Sequence, residues 1–310
     1  MTRYILEAPA KVNLFLGVES KRDGDRHLLK SVFQTISLFD RLEVEVKPNA
    51  FLPGISLNTC FASGVTAINL PAEDNLVYRA THLLAEQIGY TMTESLNVRL
   101  VKNIPLQAGL GGGSSDCAAM LLFLSQIWNL DPRGDAIQRT ASALGSDINF
   151  FLDGGCALFD RFGDRFVRAL NAPALDFVLV KPEFGISTGA VYRAFDGAPS
   201  PASAPDALIA ALAAAADNPE AASADVVSSA LANNLSDAAR AVEPTLARVF
   251  EAIAAIDSNL HPLLCGSGST VFALCRDARA AADVADHLHR KGFWAMTAKS
   301  VAHGVRLVEK

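Results

Sequence analysis

Residues 105–116 read PLQAGLGGGSSD, setting Gly109, Gly111, Gly112 and Gly113 against Ser114 and Ser115 just ahead of an apolar stretch. Glycines let the backbone take positive φ and approach a ligand closely, so successive main-chain N–H groups converge on phosphate oxygens. A helix starting near Ser114 adds its unpaired N–H groups and the positive end of its dipole. The hydroxyls can cap that helix or reach a phosphate or a metal ion. Polyphosphate binding is the chemistry this spacing suggests. It is not a Walker A sequence, because no Lys-Ser/Thr pair closes the loop. A dinucleotide fingerprint would need a third glycine where Ser114 stands and an acidic residue ending a second strand, and neither is present.

The elements around the loop favour an anion cradle over a flexible linker. Residues 96–101 alternate as a strand before it, and residues 118–128 supply an apolar helix after it. β-type alternation also runs over 11–18, 32–39 and 42–46, which predicts a hairpin-rich sheet. Residues 74–88 read as a helix capped by Asp74 or Asn75, and 136–144 as a shorter one ended by Gly145. Past Gly155 the pattern changes to a strand at 177–180 and a second set of helices. The domain boundary is therefore expected near residue 160, giving units 1–160 and 161–310. Residues 197–229 are dense in Ala, Pro, Ser and Asp. Their middle, 207–215, suits an alanine-rich helix between linker-like ends, and no chemistry is assigned to them.

The 310 residues exceed a usual single domain, so two lobes around a large core are expected. Half the residues are hydrophobic and the net charge is −6, which argues against a nucleic-acid partner. No basic-then-apolar leader and no apolar span point to a membrane, and a cytoplasmic location is expected. Five cysteines without CxxC pairing read as reduced, buried residues. The six histidines are not clustered, and His287 and His289, two apart on a helix, do not face one another. No metal site built by the protein and no obligate protein partner are expected.

The PxxxGLGGGSSD pattern resembles the phosphate loop of the GHMP kinases, which phosphorylate small metabolites with ATP. APAKVNLFLGV at 8–18, PAEDNLVYRA at 71–80, LGSDINFFLDGG at 144–155 and CGSGSTVFAL at 265–274 resemble further segments of that superfamily. They are most similar to its branch that acts on 4-diphosphocytidyl-2-C-methyl-D-erythritol. The resemblance implies an α+β, two-lobed fold, with an N-terminal mixed β-sheet domain carrying helices and a C-terminal α/β sandwich domain. It implies ATP with Mg²⁺ as its complex, and a small cytidine diphosphate substrate phosphorylated on its 2-hydroxyl. A homoserine or mevalonate type of kinase, or a non-catalytic sensor on the same fold, are the rival readings.

Site residues follow from the same likeness. Asp147 matches the catalytic base and Lys11 its partner, while Pro105, Gly109, Leu110, Gly111, Gly112, Gly113, Ser114 and Ser115 would hold ATP. Of the two serines, Ser115 is expected to contact Mg²⁺ or the terminal phosphate. Without the likeness, Asp147 reads as a turn or helix cap and Lys11 as a solvated side chain. Substrate contacts are implied for Asn13, His27, Tyr192, Gly266, Ser267 and Gly268. A strand-entry turn would explain the late glycines equally, and a backbone-bonded buried asparagine would explain Asn13. Where the branch has a tyrosine stacking on cytosine, this chain has Arg26. A guanidinium can stack on a base, pair with a phosphate, or mark a different ligand.

Overall fold

The computed structural model describes residues 2–68, 70–218 and 224–310, with the side chain of Lys21 left aside. Its strands are β1 Thr2–Asp23, β2 Arg26–Lys47, β3 Gly54–Phe61, β4 Ser95–Lys102, β5 Cys156–Asp160, β6 Arg165–Ala169, β7 Asp176–Lys181, β8 Ala232–Asn233, β9 Leu263–Leu264, β10 Val271–Cys275, β11 Trp294–Lys299 and β12 Arg306–Glu309. The helices are α1 Leu76–Ile88, α2 Gly112–Ile127, α3 Asp135–Leu144, α4 Ile148–Asp153, α5 Thr188–Gly197, α6 Asp206–Asp217, α7 Ala224–Ser229, α8 Ser236–Val242, α9 Ala247–Ala254 and α10 Ala278–Arg290. The architecture is α+β, as expected.

A long antiparallel hairpin organises the molecule. β1 and β2 pair from Thr2↔Val46 to Asp23↔Arg26 around a turn in which Gly24 has φ 62°. The stretches 32–39 and 42–46 are thus one strand, kinked where the register shifts between Pro9 and Ala10. Such an irregularity re-aims a strand without ending it. The first sheet runs β12-β1-β2-β4-β3, with β5 and β6 continuing from β2 and β8 pairing β1. A division at residue 160 falls inside the β5–β6 hairpin, and β12 returns the end of the chain to this sheet.

The second sheet has the order β11-β7-β10-β9. Its two central strands are buried on both faces, and the side-chain period of two sorts them between cores. Phe177, Leu179, Phe272 and Leu274 meet Ala10, Val12 and Leu14 of β1 between the sheets. Val178, Val180, Val271 and Ala273 meet α5, α8, α9 and α10 on the other side. The remaining core packs α1, α2, α3 and α4 on the first sheet, with Ala118, Met120, Leu121, Phe123 and Leu124 of α2 in its middle. Helix α6 covers the expected 207–215 and buries Leu208, Leu212 and Ala215. Residues 219–223 of the alanine-rich segment lie outside the described residues.

Candidate active site

Helix α2 starts at Gly112, two residues before the expected Ser114 and six before the apolar stretch at 118, with Gly111 as its N-cap at φ 74°. Ser115 is the first residue whose N–H closes on an intrahelical carbonyl, that of Gly111 at 2.9 Å. The N–H groups of Gly112, Gly113 and Ser114 are thereby left for an anion. Two glycines are required by what surrounds the loop. A Cβ on Gly109 would stand 2.1 Å from the carbonyl oxygen of Cys265, and one on Gly111 would stand 2.7 Å from the Phe151 ring and 3.1 Å from Lys11 Cγ. The loop therefore lies directly against both the late glycine turn and β1.

β1 carries Lys11 to the loop, its N–H donating to the carbonyl of Leu110 at 2.9 Å. The ammonium is almost wholly buried and stands 3.6 Å from the carboxylate of Asp147. It donates to Asn13 Oδ1 at 2.6 Å, Asn13 Nδ2 donates to Ser31 Oγ at 2.8 Å, and Ser31 donates to the carbonyl of Phe15 at 2.8 Å. This chain of bonds fixes the long, flexible lysine. Asp147 is the N-cap residue of α4 but its side chain makes no cap hydrogen bond, and Ser146 Oγ donates to it at 3.2 Å. The carboxylate is half-buried and borders open space.

That space is a cavity of about 360 Å³ lined by Lys11, Asn13, Gly109, Gly111, Ser114, Asp147, Tyr192, Gly266 and Ser267. One hollow thus gathers residues from both halves of the sequence. Ser115 is fully buried and its Oγ has no protein partner, whereas Ser114 is on the wall. Leu110 packs into the core between the sheets, and Pro105 borders a separate cavity of about 680 Å³. Gly268 packs against Leu264 and Ile186. Thr188 also lines the cavity, its hydroxyl 2.8 Å from that of Ser267.

Around Tyr192 the placement differs from a simple ring of contacts. Burial, with the nearby Asp147 charge, pushes the Tyr192 phenol up to about 12, against a smaller opposing pull from Arg26. His27 sits beside this ring, with centroids 5.4 Å apart, but its own side chain is engaged inward. Its Nδ1 is 3.0 Å from the Glu19 carbonyl and its Nε2 is 2.9 Å from Asp196. Arg22 joins Asp196 as well, and bonding to Arg22 and His27 holds that carboxyl below its ordinary range. The hairpin tip is tied in this way to α5. Arg26 turns the other way and lays its guanidinium 4.1 Å from the centroid of Phe162, which lines the cavity.

Sequence reading gave no hint of a second buried charge cluster. Lys102 Nζ contacts Asp40 and lies 2.6 Å from Asp116, with all three side chains out of solvent. Asp40 also accepts from the N–H groups of Asn103 and Ile104 at 2.6 and 2.8 Å. Burial pushes the Asp116 carboxyl well above its ordinary value against the pull of Lys102. Burial opposes the charge on Lys102, yet Asp116 and Asp40 outweigh it and raise the ammonium. A Cβ on Gly112 would stand 3.2 Å from Lys102 Nζ, so the cluster lies directly under the glycine loop. On the loop's other flank Gly113, Leu76, Asn75, Leu106 and Lys102 line a smaller cavity of about 140 Å³.

Residues 75–155 match the family described as GHMP kinases N terminal domain, and residues 208–293 match GHMP kinases C terminal. The chain is 39% identical over 291 residues to the 4-diphosphocytidyl-2-C-methyl-D-erythritol kinase of Pelotomaculum thermopropionicum, covering 91% of this chain and 93% of that one. It is 37% identical over 285 residues to the enzyme of the same name from Paramagnetospirillum magneticum, with the same two coverages. A crystal structure of 4-(cytidine 5'-diphospho)-2C-methyl-D-erythritol kinase superposes with a TM-score of 0.72 at 30% identity, over 96% of this chain and 99% of that one. Homoserine kinase from Cytophaga hutchinsonii superposes almost as well, at 0.71, but with 15% identity over 99% of this chain and 98% of that one. Backbone shape is therefore shared with a homoserine kinase and does not by itself identify a substrate. Sequence identity does separate its branches, and this chain belongs to the GHMP kinases, within their family of 4-diphosphocytidyl-2-C-methyl-D-erythritol kinases.

Proposed function

We propose that this kinase transfers the γ-phosphoryl group of ATP to the 2-hydroxyl of 4-diphosphocytidyl-2-C-methyl-D-erythritol. The observation that carries the reading is the meeting of Lys11 and Asp147, 3.6 Å apart, in the cavity that Gly111 and Ser114 also line. Asp147 accepts the hydroxyl proton as the new oxygen–phosphorus bond forms and the bond to the ADP oxygen breaks. Lys11 supplies positive charge where charge spreads over the transferred group, at a point Asn13 has already fixed. The free N–H groups of Gly112, Gly113 and Ser114 orient the polyphosphate, and the smaller cavity beyond Gly113 suits the nucleoside.

The unpartnered hydroxyl of buried Ser115 and the wall hydroxyl of Ser114 are the oxygens that would hold a Mg²⁺ ion brought in as its ATP complex, which would supply neutralisation of phosphate charge there. The substrate's cytidine diphosphate end is assigned to the Tyr192 side of the cavity, with Gly266 and Ser267 toward its phosphates.

The test is ADP release by purified protein with ATP, Mg²⁺ and the cytidine substrate, set against homoserine and mevalonate. Asp147→Asn is expected to lower kcat by about 10²- to 10⁴-fold while ATP binding persists. Preferred turnover of homoserine or mevalonate would overturn the substrate assignment, and binding without turnover of any of the three would overturn the enzymatic one.

A further inference from the structure

The second sheet ends beside a cavity set apart from Lys11 and Asp147. Alternation along β7 puts Lys181 on the face of Phe177 and Leu179, where the apolar layer between the sheets runs out, and Trp294 stands opposite it in the β11–β7 register. Both side chains line the hollow of about 680 Å³ that Pro105 borders, together with His289 of α10, Phe293 ahead of β11, and Leu106 and Gln107 of the glycine loop. Loop and second sheet meet directly here, since a Cβ on Gly185 would stand 2.5 Å from Gln107 Oε1.

Lys181 gives this cavity its chemistry. The side chain is buried, and its ammonium donates to the carbonyls of Pro182 at 2.8 Å and Phe184 at 3.3 Å. An ammonium carries three protons, one more than those two carbonyls take. The buried ammonium groups of Lys11 and Lys102 each have a carboxylate beside them. Lys181 differs: burial pushes it below its ordinary value, with no carboxylate opposing the shift. A buried charge is costly unless it is paired, so an anion brought to this cation would relieve that cost. Glu183 also borders the cavity, but it is exposed, where solvent screens its charge. Trp294 and Phe293 are half-buried and, with Leu106, supply planar and apolar wall.

We infer that this cavity is a second ligand site, taking a small organic anion whose carboxylate, sulfonate or phosphate group meets Lys181 and whose planar apolar body lies against Trp294. Its volume is that of an ordinary small-molecule pocket. Gly112, Gly113, Ser114 and Asp147 are not among its walls, so it is separate from the path assigned to the polyphosphate. Leu106 lines both this cavity and the one assigned to the nucleoside, which makes the two sites neighbours.

Fluorescence titration with anilinonaphthalene sulfonate, on the whole chain at saturating ATP, tests the inference. The probe is expected to bind a single class of site, and Lys181→Met to raise its Kd by about 10- to 150-fold, the range for loss of a hydrogen bond to a charged group. Phenylnaphthylamine keeps the rings without the sulfonate, and it is expected to bind wild type and Lys181→Met equally. Thermal unfolding shows whether Lys181→Met is folded, and the exposed His289→Glu decides where it is not. Negative charge added at that rim is expected to raise the sulfonate Kd by about two- to five-fold. Unchanged sulfonate affinity in folded Lys181→Met, or in His289→Glu, would overturn the inference, as would the absence of sulfonate binding to wild type. So would an equal loss of the neutral probe in Lys181→Met, which would make the lysine a prop for the cavity wall. Complete displacement of the sulfonate by ATP would place the probe in the nucleotide cavity and overturn it too.

Discussion

Replacing Asn13 by alanine separates two roles that one residue type can play at this site. Asn13 is almost wholly buried and has both ends occupied, its oxygen by Lys11 Nζ at 2.6 Å and its nitrogen by Ser31 Oγ at 2.8 Å. In Asn13→Ala the ammonium keeps Asp147, at 3.6 Å and beyond ordinary hydrogen-bond length, and the Phe33 ring, 5.2 Å to its centroid, and its 5% side-chain exposure leaves little room for water to substitute. A hydrogen bond to a charged group contributes about 1.5–3 kcal/mol. If that is the free energy by which Lys11 is held in place for the transition state, kcat falls by about 10- to 150-fold. Substrate KM should move by no more than about two-fold, because uniform binding is untouched. The assay is coupled ADP release over a full substrate range, with thermal unfolding to check that the variant is folded. A kcat within two-fold of wild type together with a raised KM would refute the positioning role and make Asn13 a direct substrate contact.

Two further outcomes test the geometry away from the reacting atoms. Gly109→Ala puts a Cβ 2.1 Å from the Cys265 carbonyl oxygen at a φ of 77°, so the loop must move. The expected result is a loss of at least about 1 kcal/mol in stability from the backbone conformation alone and weakened ATP binding, followed by urea unfolding and calorimetry. Wild-type ATP affinity would show that the loop and the late glycine turn do not depend on one another. Glu94 accepts from Trp128 Nε1 at 2.6 Å, Tyr90 Oη at 3.0 Å and the Thr93 N–H at 3.1 Å. Burial pushes its carboxyl up, but bonding to Trp128, Tyr90 and Thr93 outweighs this and holds it below the ordinary 4.5. A lowered folded-state value stabilises fully above the unfolded one and is lost as pH falls through the folded one. Glu94→Gln should therefore cost about 1 kcal/mol near pH 7, and its gap from wild type in urea unfolding should close on acidification below about pH 4. A gap of constant size between pH 3 and 7 would refute the charge-based account.

Features carried by neighbouring residues were legible in the sequence. The glycine run is one such feature, and the Asn75 cap is another, its side chain accepting from the Val77 N–H at 2.9 Å. A start of α2 near Ser114 was legible, but its first two residues, Gly112 and Gly113, were not, because glycine has poor helix propensity and tertiary packing on Ile104 and Phe151 settles the glycines into a first turn. Along β2, Arg26 and His27 are successive strand residues and so face opposite ways, one onto the Phe162 turn and one inward to Glu19 and Asp196. A motif written as consecutive letters hides that alternation.

Pairings between distant residues are the harder case. Lys11 and Asp147 were joined beforehand only by likeness to a family, since nothing in a lone lysine or aspartate specifies a partner across the chain. Asp40, Lys102 and Asp116 had no likeness to join them, and charged residue types are mostly exposed. Their meeting out of solvent is decided by β2, β4 and the first turn of α2 converging beneath the glycine loop. Two carboxylates and one ammonium in that setting are tolerable only together, because removing the cation would leave buried negative charge uncompensated at a cost of about 3–5 kcal/mol. The cluster therefore ties the start of α2, and with it the free N–H groups that face the anion, to the central strands of the first sheet.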